Sequence, residues 1–281
     1  MNIVKYVILL LALIFGLSAE SQAQFRYKYV SLGVSAGSTN YLGDLDDDLT
    51  FRFTKLGFGA DATYRLNPFM SARLGFFHGW ASAADSVSNN VPRNRRNLSF
   101  RTPITDVNAT LIFDFIPNDR RFNYRPPYTP YVFVGLSLFR FNPQTQFNGQ
   151  WIDLKPLGTE GQETGLAKYP APYDLVQVAI PFGAGMRFKL SDQVDLELET
   201  GFRKTFTDYI DDVSGQYVAP EDLDLLTPLA QQLTDRIDRV QYPDGAAIVN
   251  GIRGDASQTD WYVYTAVRIN FILDWVRCPQ F

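Results

Sequence analysis

The chain has 281 residues, 46% of them hydrophobic, 15% aromatic and 20% charged, with a formal charge of −4. That length suits one all-β domain, the slight negative charge gives no reason to expect nucleic acid, and the composition looks like that of a soluble globule. It does not exclude a membrane barrel, whose strands dilute apolar residues with polar lumen partners and escape a hydropathy scan.

The first residues read as an export signal. Lys5 supplies positive charge, Tyr6 to Leu17 form an apolar core, and Ser21-Gln22-Ala23 is a small-x-small cleavage site. The run is shorter than the roughly 20 residues of a spanning helix, and no later segment is apolar enough to be one. The expected organisation is a cleaved signal peptide over 1–23, then a single barrel domain over 24–281 with a short C-terminal periplasmic tail; a retained N-terminal anchor is the alternative. Cys278, the only cysteine, lies near the far end, so neither lipid attachment after the signal nor an internal disulfide is on offer.

Beyond the signal, apolar and polar residues alternate with period two, the signature of strands with two unlike faces. Eight strands are expected near 27–38, 53–66, 69–80, 104–116, 129–141, 174–189, 193–206 and 259–272. From Lys55 to Leu66, Leu56, Phe58, Ala60, Ala62, Tyr64 and Leu66 share one face, and Lys55, Gly57, Gly59, Asp61, Thr63 and Arg65 the other. In the next strand His78, the sole histidine, shares a face with Leu74, Phe76 and Trp80, which predicts a lipid-facing or interfacial position. Val107, Ala109, Leu111, Phe113 and Phe115 oppose Asp106, Asn108, Thr110 and Asp114, whereas Tyr131 to Phe141 is apolar on both faces and permits no facing assignment. Val194, Leu196, Leu198 and Phe202 oppose Asp195, Glu197, Glu199 and Arg203; Trp261, Val263, Val267, Ile269 and Phe271 oppose Tyr262, Tyr264, Arg268 and Asn270.

The connections alternate as well. Leu66-Asn67-Pro68 and Ser191-Asp192 are tight and Pro117 to Tyr128 is moderate, while those around 39–52, 81–103, 142–173 and 207–258 are long. Short turns on one side and long loops on the other point to an eight-stranded antiparallel transmembrane β-barrel of the outer membrane, with short periplasmic turns and long external loops. A soluble β-sandwich with one wet face has the same period. Against it stand inner faces carrying both signs, Asp61, Arg65, Arg73, Arg187, Lys189, Asp195, Glu197, Glu199, Arg203 and Arg268, opposite faces almost without charge. Eight strands enclose only their own side chains, so these charges are expected to pair in a lumen network that plugs the barrel. Trp80, Tyr131, Tyr173, Tyr209 and Trp261 lie near strand ends, where they serve either as interfacial girdles or as ordinary packing aromatics.

Catalytic chemistry is thin. Ser86, Ser88 and Ser99 lie in or near the second loop, but a serine hydrolase needs a base, and only His78 is available. No Cys/His zinc spacing and no Gly-rich phosphate loop occurs, so no cofactor is expected. Asp44, Asp46, Asp47 and Asp48 crowd the first long loop, and Asp208, Asp211 and Asp212 open the last. Such oxygen density suits a calcium ion, yet the spacing of an EF-hand is not met, and solvated acidic loops are the expected state. In the last loop Leu223, Leu225, Leu226, Leu229, Leu233, Ile237 and Val240 fall near helical spacing. This predicts a short amphipathic helix, capping the mouth, meeting a partner or folding back on its own loop.

Two segments carry a resemblance: Leu32 to Leu45, with Tyr41, Gly43 and Asp44, and Gly201 to Gly215, with Asp208, Tyr209, Asp211 and Asp212. Together with the eight-strand plan they resemble the PorG family, outer-membrane barrels of Bacteroidetes associated with the type IX secretion system. The resemblance spans essentially the whole mature chain. It implies a non-enzymatic role in protein secretion, tying a periplasmic lipoprotein ring complex to the outer membrane, in a phylum some of whose members use the same machinery for gliding motility. In this topology the periplasmic partner contacts are expected at Arg120, Arg121 and Arg125 and in the tail Asp274 to Phe281, with Trp275 and Arg277. The acidic loops near Tyr41 and Tyr209 are expected to pack on each other at the outer mouth. A general structural or adhesive barrel exposing its loops, and a lipid-modifying barrel enzyme relying on His78, are the readings from other classes.

Overall fold

The computed structural model describes residues 27–46, 51–237 and 251–273. The signal segment, Asp47, Asp48, Val240 and the tail with Trp275, Arg277 and Cys278 lie outside the described residues. The strands are β1 (Val30–Leu42), β2 (Lys55–Arg65), β3 (Met70–Ala84), β4 (Ser99–Asp114), β5 (Tyr128–Phe141), β6 (Gln144–Phe147), β7 (Gln150–Asp153), β8 (Val176–Lys189), β9 (Val194–Thr205) and β10 (Trp261–Leu273). Two short helices, α1 (Val91–Arg96) and α2 (Pro228–Thr234), sit in the long loops.

Eight strands pair with their neighbours, antiparallel throughout, in the order β3-β2-β1-β10-β9-β8-β5-β4, and β3 pairs with β4 to close the ring. Closure leaves no open edge in the barrel, which is what a sheet must achieve to satisfy its backbone in lipid. Its strands, 11 to 16 residues long, exceed the roughly 10 needed to cross the apolar layer. Outward-facing Leu74 and Leu136 are 67% and 70% exposed, and Val34, Leu56, Phe76, Val107, Val134, Leu138, Ile269 and Phe271 continue the same belt around the ring. No soluble monomer leaves so continuous an apolar band in water, so the chain is a transmembrane barrel and the sandwich reading falls.

The short turns lie at one end. Asn67 accepts hydrogen bonds from the Phe69 and Met70 amides, 2.8 Å each, so its side chain holds the turn that Pro68 begins. The Ser191 hydroxyl does the same for the Val194 amide at 3.1 Å. The strands outrun expectation at the opposite, external end: β1 reaches Leu42, which places Tyr41 in the ladder opposite Tyr262, and β3 and β4 extend to Ala84 and Ser99. The β6–β7 hairpin is an addition to the eight expected strands. It turns through Asn148 and Gly149 at φ 49° and 80°, the pair of positive φ angles that favours Asn-Gly in two-residue hairpins, and it joins the barrel at Arg101–Gln144.

The interior has two layers. The periplasmic half holds the charges, and the external half is an aromatic core of Tyr41, Phe77, Phe100, Phe139, Phe141, Tyr173, Tyr262 and Tyr264. β5 spans both layers and looks alike on its two faces in sequence: Phe139 and Phe141 point into the aromatic core, Tyr131 and Phe133 point inward to pack with Ile112, and Val132, Val134, Leu136 and Leu138 face outward. The lumen charge network therefore fills one half of the interior, beneath an apolar one.

Candidate functional site

In the polar half, four carboxylates, Asp61, Asp114, Glu197 and Glu199, meet four guanidinium groups, Arg65, Arg73, Arg187 and Arg268, so formal charge balances. Glu197 lies at the centre, accepting from Arg187 Nε at 2.6 Å, Arg73 Nη2 at 2.9 Å and Arg268 Nη1 at 3.1 Å. Glu199 accepts from Arg73 at 2.6 Å and Arg268 at 2.8 Å, Arg268 reaches Asp61 at 2.7 Å, and Asp114 bridges Arg65 and Arg187. Tyr131 donates to Glu199 at 2.8 Å, and the Arg187 and Arg73 guanidinium carbons lie 5.2 and 5.9 Å from its ring centroid. Buried ions persist only when paired and hydrogen-bonded, and alternation on facing strands supplies both signs here. The cavity left beside the network, lined by Asp61, Arg73, Glu199, Arg203 and Arg268, has a volume of about 20 Å³, room for one water and not for a channel.

Three expected members of the network sit apart from it, and the first, Lys189, pairs with Asp192 in the adjoining turn at 2.9 Å. Arg203 makes no ion pair among the described residues; it is caged by Phe77, Tyr262 and Tyr264, with its guanidinium carbon 5.8 to 5.9 Å from each ring centroid, because its register places it in the aromatic layer. Asp195 pairs with Arg125 at 2.7 Å at the periplasmic rim. Arg125 is buried and also donates to the carbonyls of Phe122, Ser191, Asp192 and Val194, tying two turns together. It is therefore a brace and not a free partner contact, which corrects that expectation. Arg120 and Arg121 remain exposed at the same end.

The external end is closed by a cap built from all four long loops. Arg96, at the end of α1, grips Asp85 through two bonds of 2.7 and 2.8 Å and donates to the carbonyls of Asp44 and Arg253, so three loops meet on one guanidinium. Glu160 accepts from Arg253 at 3.0 Å and from the Ser214 and Gly215 amides at 2.9 and 3.1 Å. Asp212 accepts from Thr159 at 2.5 Å and Tyr173 at 2.7 Å, and its φ of 66° bends the chain around them. Burial outweighs the nearby Arg253 and pushes the Asp212 carboxyl up to about 6, while burial pushes that of Asp208 up to about 9.

The two resembling segments come together here: Tyr41 Oη lies 2.6 Å from Asp211 Oδ2 and 2.6 Å from Asp260 Oδ1. Asp44 accepts from the Asp255 amide at 2.9 Å, and Tyr209 stacks on Tyr173 with centroids 4.5 Å apart. Asp46, Asp211 and Asp212 are buried, which overturns the solvated acidic loops. Among the described residues no group of three or more His, Cys, Asp or Glu is arranged to hold a metal ion.

Helix α2 begins at Pro228, with Thr227 accepting from the Ala230 amide at 3.2 Å. Leu226 and Ala230 pack on Val218, Leu157 and Tyr169, so the amphipathic stretch folds back on neighbouring loops. Tyr131 and Tyr173 are interior residues and not girdle residues. His78 binds the Thr105 hydroxyl across the β3–β4 ladder at 2.9 Å, and Ser99 accepts from Arg236 at 3.0 Å. Sequence reasoning overlooked Glu160, Arg253, Asp260, Asp85 and Arg96. The Asn148-Gly149 pair, a hairpin signal, marked the folded β6–β7 loop, as the leucine spacing had marked α2.

Among solved structures the chain is similar to Neisserial surface protein A, at 10% identity over 86% of this chain and 96% of that one, with a TM-score of 0.42. It is similar also to Ail, the attachment invasion locus protein of Yersinia pestis, in complex with the heparin analogue sucrose octasulfate, at 8% identity, 88% and 99% coverage and 0.41. OprG from Pseudomonas aeruginosa gives 8%, 87% and 97%, and 0.39. No curated protein matches the sequence. The model of a domain family of unknown function, DUF6089, matches residues 4–227, and this outer-membrane β-barrel belongs to that family.

Proposed function

We propose that the barrel is a non-enzymatic component of the type IX protein secretion machinery, anchoring the periplasmic lipoprotein ring complex to the outer membrane. One observation carries the reading: the two segments that resemble PorG, with Tyr41 and Asp211 lying 170 positions apart, meet in a single buried cluster at the external mouth. The resemblance therefore falls on one built feature. The filled lumen supports an anchor over a conduit, because eight strands packed with their own side chains cannot pass a protein.

With Arg125 engaged in bracing the turns, the proposed partner surface is the exposed turn bearing Arg120 and Arg121 together with the tail that holds Trp275 and Arg277. Charge reversal of Arg120 and Arg121 in a tagged, full-length protein tests it. The ring complex is expected to fall away in co-purification while the barrel still assembles; full retention of the ring removes this turn as the contact.

A general structural or adhesive barrel has one observation in its favour. The β6–β7 hairpin displays Trp151, 44% exposed, with the Arg101 guanidinium 3.7 Å from its ring centroid, on the external side. That reading predicts normal secretion after deletion and a hairpin accessible to protease on whole cells.

A further inference from the structure

Tyr41 has one hydroxyl proton and two carboxyl oxygens at 2.6 Å, Asp211 Oδ2 and Asp260 Oδ1. It can donate to only one of them. The second contact is a hydrogen bond only if the other carboxyl carries a proton and donates to the tyrosine oxygen. The remaining oxygens are already engaged: Asp211 Oδ1 accepts from the Val213 amide at 2.9 Å and Asp260 Oδ2 from the Ile210 amide at 2.8 Å. Both aspartates are buried, at 1% and 0% exposure.

Among the described residues, the cation that acts on the pair is Arg96, and it is committed elsewhere. From the end of β1 the pair faces Tyr41 and Asp44; from the segment after β9, Asp208; from the β3–β4 connection, Arg96. Arg96 is occupied by Asp85 and two carbonyls, and Arg253 by Glu160 and Asp212. Arg93 acts on Asp44, and Glu160 adds further negative charge beside Asp208. Burial and these like charges push both carboxyls well above the usual carboxylate range. Packing holds the pair close: a Cβ on Gly43 would fall 2.0 Å from Asp260 Oδ1 and 2.1 Å from Tyr41 Oη, so only glycine fits against the cluster.

We propose that Asp211 and Asp260 hold one shared proton against Tyr41, and that this proton latches the last external loop onto the barrel mouth. The two aspartates lie at opposite ends of that loop, one just after β9 and one just before β10, and Tyr41 belongs to the rim. With the proton in place, three chain segments are joined by two short hydrogen bonds. Its loss leaves two anions and one hydroxyl in a buried site, and the loop separates from the rim. The latch tightens in acid and loosens as pH rises, because the closed form binds a proton that the open form releases. It holds whether or not the barrel serves secretion.

Hydrogen exchange of the Ile210 and Val213 amides, measured against pH above about 6, where Asp212 is already ionised, on full-length protein carrying Asp208→Asn as background in lipid vesicles and corrected for intrinsic exchange, tests the latch. One proton released on opening makes the opening constant rise tenfold per pH unit. Asp260→Asn and Asp211→Asn each provide a permanent N–H donor to Tyr41, and each is expected to flatten that slope; an unchanged slope in both overturns the proposal. Infrared spectroscopy gives a second reading that needs neither variant. In Asp208→Asn protein at pH 7 the C=O stretch of a protonated carboxyl is expected, and its absence overturns the proposal as well.

Discussion

Replacing Glu197 with Gln removes one charge from the lumen while preserving shape. The carboxylate is 1% exposed and accepts from Arg73, Arg187 and Arg268. Its loss changes the network from four carboxylates against four guanidinium groups to three against four, leaving one cation without compensation in a nearly dry interior. Removing one partner of a buried ion pair costs about 3–5 kcal/mol, and the central place of Glu197 argues for the upper part of that range. The compensating change is Arg187→Met, because Asp114 keeps Arg65 and the remaining charges balance at three each. The double variant is expected to be more stable than the sum of the single changes by about 1–3 kcal/mol. Guanidinium-induced unfolding in lipid vesicles, followed by tryptophan fluorescence, measures all four proteins of the cycle. A cost below about 1 kcal/mol for Glu197→Gln, together with additive single effects, would refute the paired, desolvated lumen.

Leu198, the next residue along β9, faces lipid, so Leu198→Arg should cost about 2–4 kcal/mol near the midplane in the same assay, with no rescue by lumen substitutions. Arg125→Ala strands Asp195 and frees four turn carbonyls; a loss of about 3–5 kcal/mol is expected, with the periplasmic turns becoming cleavable by protease, whereas charge reversal at Arg120 and Arg121 leaves the unfolding midpoint unchanged. Gly37→Ala drives a Cβ to within 2.0 Å of the Thr265 carbonyl oxygen, so the β1–β10 ladder must part and stability fall by about 1–3 kcal/mol in the unfolding assay. The folded-state value of Asp212 is raised to about 6, so the closed cap binds a proton more tightly than the unfolded chain and loses stability as pH climbs from the ordinary carboxylate range through 6. Asp212→Asn should flatten that part of the pH profile of cap proteolysis.

The barrel was legible because lipid and lumen impose opposite chemistries on successive residues. β2, β9 and β10 show the alternation almost without exception, and short turns such as Asn67-Pro68 marked one end. β5 was opaque for a physical reason: its inward residues Phe139 and Phe141 enter the aromatic layer while Tyr131 and Phe133 pack with Ile112 in a second apolar cluster, so both faces are apolar and the period disappears. The cap was opaque for the converse reason. A run such as Asp208 to Asp212 has the composition of a solvated loop, and what buries it are single residues far along the chain, Arg253 and Asp260, that no local pattern announces. Placing Arg125 among partner contacts followed the same logic, since its carboxylate, Asp195, comes from a strand 70 positions away.

The secretion role is tested most directly by deleting the gene in its host and following a cargo protein with a C-terminal secretion signal through periplasm, cell surface and medium. Accumulation of cargo in the periplasm, with other outer-membrane barrels assembling normally, is the predicted result. Cargo reaching the surface and medium at the normal rate would contradict the anchor and leave the structural or adhesive barrel in its place.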